Sequence, residues 1–206
     1  VEQDYLLSME WYQKSAEQGD AESQYSLGNY YYKGKGVDLD YVKAVEWFTK
    51  AVDLEHADAQ NALGLCYYYG NGVEKDHDKA YKLFTKSAEK GNAEAQNTLG
   101  TYYYNALEVQ NHYELAVEWY TKSAEQGLAR AQYNLALCYL SGGGIAKSNT
   151  KAIYWLETAT DNLKCYYNLA HILCFTDSKH KNIDKGLKIL KELEERDYRD
   201  STRANS

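Results

Sequence analysis

The chain has 206 residues, of which 44% are hydrophobic and 26% charged, and this composition is typical of a globular protein. Its formal net charge of −7 falls within the first 100 residues, which hold 17 acidic and 10 basic residues, whereas the remainder holds 13 of each. An acidic excess argues against duplex nucleic acid as a partner, because binding phosphates requires a basic surface. The sequence contains no run of the ~20 apolar residues that a membrane-spanning helix needs.

The first predicted element is a single amphipathic helix at about residues 5–19, "YLLSMEWYQKSAEQG", which ends at Gly19. It corresponds to only the second half of the units that follow it. An array that begins in this way is expected either to use the helix as a cap or to have further repeats before it in the full protein.

A repeat of 36 residues then runs along the chain. A tryptophan or leucine returns at this interval, at Trp11, Trp47, Leu83, Trp119 and Trp155. The register predicts one domain, residues 1–206, with full units at 21–56, 57–92, 93–128 and 129–162, a degenerate capping repeat at 163–197 and a disordered polar tail at 198–206. Units of this length bury a core only when they are stacked, which predicts a solenoid.

Each unit has the pattern of a helix, a loop and a second helix. Apolar and small residues recur at three- and four-residue steps on both sides of the loops "GKGV", "GNGV", "ALEV" and "GGGI". Three glycines stand where a left-handed residue ends the second helix, with Glu55 in that place in the first unit: Gly19, Gly91 and Gly127. The final helix is predicted to bury one apolar stripe, made of Leu187, Leu190 and Leu193.

The segments "AEAQNTLGTYYY…LAVEWYTKSAEQG" and "ADAQNALGLCYYYGNGVEKDHDKAYKLFTKSAEKGN" resemble Sel1-like repeats, a branch of the tetratricopeptide-type helical repeats. The resemblance covers about residues 5–160 strongly and the remainder weakly. It implies an all-α fold, a right-handed α-α superhelical solenoid in which first helices line a concave face, and a role in protein–protein interaction. The third unit departs from the pattern with Ala106 and Glu108 in place of loop glycines, so its loop is expected to take another path.

Tyrosine triplets near the end of the first helices point to the binding surface. Neighbouring helical side chains diverge by about 100°, so the tyrosines of a triplet cannot all be buried. One of each set is predicted to lie in the core: Tyr31, Tyr67, Tyr103 and Tyr139. The opposite stripe is predicted to line a partner-binding concave groove made of Tyr25, Asn29, Tyr32, Asn61, Tyr68, Asn97, Thr101, Tyr104, Tyr133, Tyr167 and His171. The competing interpretation is that these rings only pack on neighbouring helices.

Other candidate sites are weaker. The glycine loops follow helices rather than strands and lack the Lys-Ser/Thr ending of a phosphate-binding loop. The histidines are scattered without metal-ligand spacing, at His56, His77, His112, His171 and His180. No catalytic group, cofactor or metal is therefore predicted.

All four cysteines, Cys66, Cys138, Cys165 and Cys174, lie on predicted first helices. Some Sel1-like proteins join the two helices of a unit by a disulfide, which this distribution does not allow. Pairs within one helix or two units apart are too distant to bridge, and only Cys138 with Cys174 stays open. Free thiols are the preferred interpretation, and they favour a reducing, cytoplasmic location.

The sequence therefore predicts a non-enzymatic adaptor or scaffold that binds a protein or peptide partner, without nucleic acid or membrane span, and acts as a monomer. An inhibitory protein that neutralises a cognate toxin or enzyme is the alternative, and the acidic first half would suit a basic target. An enzyme is the third class, for which no constellation of residues is found.

Overall fold

The computed structural model describes the backbone of residues 2–106, 111–159, 163–175 and 182–204, and side chains within 8–106, 111–159, 165–175 and 182–195. These residues form eleven α-helices and no strand. The helices are α1 (Glu2–Glu17), α2 (Ala21–Lys33), α3 (Tyr41–Asp53), α4 (Ala57–Tyr69), α5 (His77–Glu89), α6 (Ala93–Asn105), α7 (His112–Glu125), α8 (Ala129–Ser141), α9 (Asn149–Thr158), α10 (Leu163–Phe175) and α11 (Ile183–Ala204).

Tertiary contacts divide the chain into two compact units, unit 1 (Val1–Leu99) and unit 2 (Gly100–Ser206). In unit 1 each helix from α1 to α5 packs on the next, and in unit 2 the same holds from α7 to α11. Within unit 1 the helices α2 with α3 and α4 with α5 thus form helical hairpins, and within unit 2 the helices α8 with α9 do so. Leu63 and Leu99 are both buried.

The second helices end at the residues that the sequence predicted. Gly19, Gly91 and Gly127 have φ angles near +90°, and Glu55 takes the same left-handed conformation with φ of 60°. A left-handed glycine also ends the first helix of three repeats, at Gly34, Gly70 and Gly142. The second helices begin at a side-chain cap, where the N–H three residues later donates to Asp40, Asp76 or Ser148.

The loop of the third repeat follows a different course at its described end. Asn111 stands where the other repeats have Asp40, Asp76 and Ser148, but its φ is +57° and its side chain makes no cap hydrogen bond. The three capping residues have extended backbones instead, with φ between −144° and −155°. Glu108, one of the two residues that predicted this departure, lies outside the described residues.

Buried glutamines join successive repeats, a feature that the sequence analysis missed. The Nε2 atoms of Gln24 and Gln96 each donate over 3.1 Å to a carbonyl of the preceding second helix, at Ala16 and Ala88 respectively. Gln132 makes the equivalent bond at 3.3 Å to the Ala124 carbonyl. These amides satisfy helix carbonyls inside a nonpolar contact, where an unpaired group would be destabilising.

Two predictions about burial were wrong in part. Tyr139 is buried as predicted, but Tyr31, Tyr67 and Tyr103 are only half-buried. In two repeats the preceding residue is buried, at Cys66 and Cys138. The rings are covered from outside instead: a lysine Nζ lies over the rings of Tyr31, Tyr67 and Tyr139 at 5.2–5.3 Å, from Lys43, Lys79 and Lys151.

The buried face of α11 is also different from the predicted one. Ile189 and Leu193 are buried and Leu190 is partly buried, whereas Leu187 is 55% exposed. Because the helix turns by about 100° per residue, a stripe through 189 and 193 leaves residue 187 on the far side. Helix α11 also continues to Ala204, into the segment that was predicted to be disordered.

Candidate partner-binding face

The predicted site residues of unit 1 lie on its first helices, which are aligned at their N-terminal ends. The His56 ring contacts Glu22 across a distance of 3.0 Å from Nε2 to Oε2, and the Asn92 amide donates to Asp58 at 2.6 Å. In each case the residue that caps one first helix binds the acidic residue in the first turn of the preceding first helix. The starts of α2, α4 and α6 are therefore adjacent along one edge of the unit.

Both capping residues also hold the backbone of their own helix. His56 Nδ1 accepts a hydrogen bond from the Ala59 N–H at 3.2 Å, and Asn92 Oδ1 accepts one from the Ala95 N–H at 2.7 Å. An unprotonated Nδ1 requires that the imidazole carry its proton on Nε2, which then donates to Glu22. The link between the two helices is thus a charge-assisted hydrogen bond.

Tyr25 and Asn29 are partly occupied by contacts within the unit. The Tyr25 ring stacks on His56 with a centroid distance of 5.1 Å, and its hydroxyl is hydrogen-bonded to Asn29. Burial raises the pKa of Tyr25. Tyr25 is therefore a half-buried, oriented ring rather than a freely moving one.

Tyr32 is held in the same way at the other end of α2. Its ring meets Tyr41 edge-on at 5.1 Å, and its hydroxyl accepts from the Asn71 amide at 3.0 Å, 39 residues along the chain. Burial raises the pKa of Tyr32. The interpretation that such rings pack on neighbouring elements fits Tyr32 better than it fits Tyr68.

Tyr68 and Tyr69 are the most open of these rings in unit 1. Tyr68 packs edge-on against His77 at 5.1 Å and remains 36% exposed. Tyr69 is 59% exposed and forms a perpendicular pair with Tyr68, with ring centroids 5.0 Å apart. The repeat register did not single out Tyr69, because the tyrosine triplet of this repeat is shifted by one residue relative to the others.

The asparagines of unit 1 are unequal. Asn61 is half-buried, whereas Asn97 at the same place in the next repeat is only 5% exposed. Asn97 therefore contributes little open surface, contrary to its predicted role as a groove residue. In sum, the unit 1 face consists of Glu22, Tyr25, Asn29, Tyr32, Asp58, Asn61, Tyr68, Tyr69 and Glu94.

Unit 2 carries its own set of predicted residues. Tyr104 is partly exposed and packs edge-on against Tyr113 at 5.2 Å, and Thr101 accepts a hydrogen bond from the buried Tyr120 at 3.1 Å. Tyr133 is half-buried and its hydroxyl accepts from the Asn168 amide at 3.1 Å. The remaining two lie exposed on α10, together with a phenylalanine that the sequence analysis missed: Tyr167, His171 and Phe175.

The described residues also bear on metal-ligand groups, membrane-spanning helices and disulfides. They contain no group of three or more His, Cys, Asp or Glu side chains arranged to hold a metal ion. Among the helices that the structure describes, none combines the length and apolar character needed to cross a bilayer. The four cysteines form no disulfide: Cys66, Cys138 and Cys165 are buried and Cys174 is half-buried.

The helical hairpins and their interval define a class of helical-repeat protein, and comparison identifies the family. A model of the Sel1 repeat matches residues 1–20, 21–56, 57–92, 93–128 and 129–162, and the chain belongs to the Sel1 repeat family. The predicted fold class, an all-α solenoid of repeats about 36 residues long, is thereby confirmed. Sel1 repeat proteins generally mediate protein–protein interaction, and their fold is typically a non-catalytic scaffold.

Solved structures agree with this assignment. A protective antigen of uropathogenic Escherichia coli is 30% identical with a TM-score of 0.79, over 91% of this chain and 41% of the antigen. A Sel1 repeat protein from Oxalobacter formigenes is 27% identical with a TM-score of 0.79, over 86% of this chain and 74% of that protein. An immunity protein from Pseudomonas aeruginosa is 21% identical with a TM-score of 0.60, over 90% and 73% of the two chains, and shares the fold. A search of curated proteins found no match.

The chain thus spans 41% of the length of the Escherichia coli antigen, and the rest of the antigen has no counterpart in this chain.

Proposed function

We propose that the chain is a non-enzymatic protein-interaction module, an adaptor or scaffold, that binds a protein partner through the first helices of its repeats. One observation carries the proposal. Tyr68 and Tyr69 present open aromatic surface at the end of α4 although both are held by edge-on ring contacts. Exposed aromatic rings of fixed orientation are the side chains that most often anchor protein interfaces.

The energetic reason lies in what these rings lose on binding. A side chain that is already fixed by its neighbours gives up little rotamer entropy when a partner covers it. Burial of each ring can then contribute about 1–2 kcal/mol to the affinity. Tyr25, Tyr32 and Asn61 are half-buried around this pair and support recognition chiefly by shape and hydrogen bonding.

The test uses two tyrosines of equal exposure. A photo-crosslinking amino acid is placed at Tyr69 on a first helix, and in a second variant at Tyr154 on the second helix α9, since their side chains are 59% and 58% exposed. Crosslinking in cell extract and mass spectrometry are expected to join one protein to the Tyr69 variant and not to the Tyr154 variant. Equal labelling from both places, or none from Tyr69, would refute the proposed face.

Affinity for the captured partner then tests the anchors. Tyr68→Ala combined with Tyr69→Ala is expected to weaken binding by 10- to 100-fold, which corresponds to about 1.4–2.8 kcal/mol. The melting temperature should change little, because these rings lie at the end of α4 and retain exposed surface. Tyr154→Ala serves as the control and should leave the affinity unchanged.

An inhibitory role is the second candidate, and the acidic excess of the first 100 residues is the observation that favours it, because such a surface suits a basic target. Two structural neighbours are immunity proteins of Pseudomonas aeruginosa, at 20–21% identity, and this likeness extends only to the fold. A toxin gene beside this gene, and rescue of cells that express that toxin by this chain, would favour inhibition over an adaptor role.

A further inference from the structure

We infer that the unit 1 face binds a protein segment that carries arginine or lysine side chains, with Tyr68 and Tyr69 receiving a cationic group and the acidic edge of the first helices attracting it. This inference rests on the proposed function, because it names the chemistry of the partner at the same face.

The charges of unit 1 are sorted between its two kinds of helix. Among the first helices, α2 and α4 together with residues 93–99 carry three acidic residues and one basic residue: Glu22, Asp58, Glu94 and Lys33. The second helices α3 and α5 carry five lysines against four carboxylates. Among the paired helices, the first helices therefore carry a net charge of −2 and the second helices α3 and α5 a net charge of +1, while α1, which precedes the paired helices, adds four acidic residues and one lysine.

Neighbouring residues orient two carboxylates of the acidic edge. Glu22 contacts the His56 ring and Asp58 accepts from the Asn92 amide, so the contacts seen at these two carboxylates involve neither Lys nor Arg. Glu22 is largely exposed, with 68% of its side-chain surface open to solvent. Carboxylates that neighbouring residues orient but do not neutralise are available to attract a cationic partner.

The aromatic rings are chemically suited to the same partner. In this chain a lysine lies over Tyr31, Tyr67 and Tyr139, and another lies 3.8 Å above the centre of Trp47. In the part of the chain that the structure describes, no Lys or Arg lies over Tyr68 or Tyr69. A cation from a partner can complete the contact that the neighbouring rings already make internally.

A protein segment fits this face better than a small cation. Glu22, Asp58 and Glu94 lie in the first turns of three successive first helices, and the open tyrosines end α4, so the recognising groups span the length of a helix. Arginine is favoured over lysine because its planar guanidinium stacks on aromatic rings and binds carboxylates with two hydrogen bonds.

Binding of synthetic peptides tests the inference. The probes are fluorescent peptides with four copies of Gly-Arg-Ser, and matched peptides with Lys, Gln or Glu in place of Arg, titrated with the whole chain and followed by anisotropy. We expect the Arg peptide to bind at least about tenfold more tightly than the Gln peptide, with the Glu peptide weakest. Raising the salt from about 50 mM to about 500 mM should weaken the binding of the Arg peptide by several-fold.

Matched charge variants locate the site. Glu22→Gln, Asp58→Asn and Glu94→Gln together should weaken the Arg peptide by at least about tenfold. The control triple, Glu46→Gln, Asp53→Asn and Glu89→Gln, removes the same charge from exposed residues of the second helices and should change binding by less than about threefold. The amide replacements keep an acceptor for His56 and Asn92, and circular dichroism checks that both triples remain folded.

The outcomes separate this inference from the function on which it rests. Equal binding of the Arg and Gln peptides, no binding of the Arg peptide, or equal losses from both triples would overturn the cationic partner. If a protein still crosslinks at Tyr69 in that case, the proposed function stands and only the partner chemistry is wrong. If nothing crosslinks at Tyr69, the proposed function itself fails.

Discussion

Gly64 has no Cβ atom, and this allows the two helices of its repeat to pack closely. A Cβ added there would lie 2.6 Å from the Phe84 ring, and Gly28 and Gly100 have the same relation to Phe48 and Tyr120 at 2.4 and 2.6 Å. In the fourth repeat both partners change together, because Ala136 stands in place of the glycine and Leu156 in place of the ring, and both are buried. The chain thus conserves the combined volume of the pair, as close-packed interiors require.

Gly64→Ala is therefore expected to destabilise the protein by about 1–3 kcal/mol through overpacking. Phe84→Leu alone should also destabilise it, because it leaves a cavity. The double variant, Gly64→Ala with Phe84→Leu, copies the pairing of the fourth repeat. Its loss of stability should be smaller, by at least about 1 kcal/mol, than the sum of the losses of the two single variants. Urea denaturation of the four proteins measures this coupling, and strict additivity would show that the ring and the glycine do not compete for space.

Glu55 is the one described residue at the end of a second helix that adopts the left-handed conformation without being glycine. That conformation crowds a side chain against its own backbone, so Glu55→Gly should stabilise the protein by about 0.5–1 kcal/mol. The ion pair of Glu55 with Lys90 is exposed and offsets little of this gain. A melting temperature that falls in the variant would contradict the expectation, and Asp53→Gly, inside α3, is the destabilised control.

At the scale of an element, three second helices are capped by the side chain of the residue before them, and in two of these the cap is an aspartate. Asp40 and Asp76 accept hydrogen bonds from the N–H groups of Lys43 and Lys79, at 3.0 and 2.9 Å. These bonds lower the pKa of both carboxyls, with the backbone N–H as the largest cause. Ser148 makes the same cap in the fourth repeat without a group that titrates.

The lowered pKa values predict a loss of stability in acid. Because each carboxyl has a lower pKa in the folded chain than in the unfolded chain, both caps contribute fully above about pH 4, and their contribution disappears as the pH falls through the folded values. Asp40→Ser with Asp76→Ser should therefore lose less melting temperature than the native chain between pH 5 and pH 2. Parallel curves for the two proteins would show that these caps do not titrate with folding.

The whole molecule carries four thiols that report on its packing. Burial raises the pKa of Cys66 to about 12 and that of Cys138 and Cys165 to about 11. Near pH 8 these groups are protonated as well as inaccessible, and only thiolates react rapidly. Cys174 is half-buried and packs against Gly186.

Alkylation without reductant is expected to leave Cys66, Cys138 and Cys165 unmodified in the native chain. After unfolding, mass spectrometry should show four alkylated cysteines. A disulfide would be revealed if two cysteines of the unfolded chain resisted alkylation and its intact mass were lower by two hydrogen atoms. That outcome would also remove the argument for a reducing compartment.

The sequence alone determined the helices, their interval and most of their ends. These features are local: glycines with positive φ, capping residues and a three-to-four-residue apolar period act within a few residues. The close contact at Gly100 lies at a point where every full repeat has a small residue: Gly28, Gly64, Gly100 and Ala136. It also predicted the left-handed conformation of Glu55 from the glycines at the equivalent places.

Only the tertiary structure decided which tyrosines stay open. Tyr32 is covered by Asn71, 39 residues away, and Tyr25 by the His56 ring, whereas Tyr69 has no such cover and is 59% exposed. Helical periodicity assigns a side chain to a face but does not say what the next repeat brings against it. Burial is a property of both partners in a contact, and these partners meet only after the hairpins have stacked.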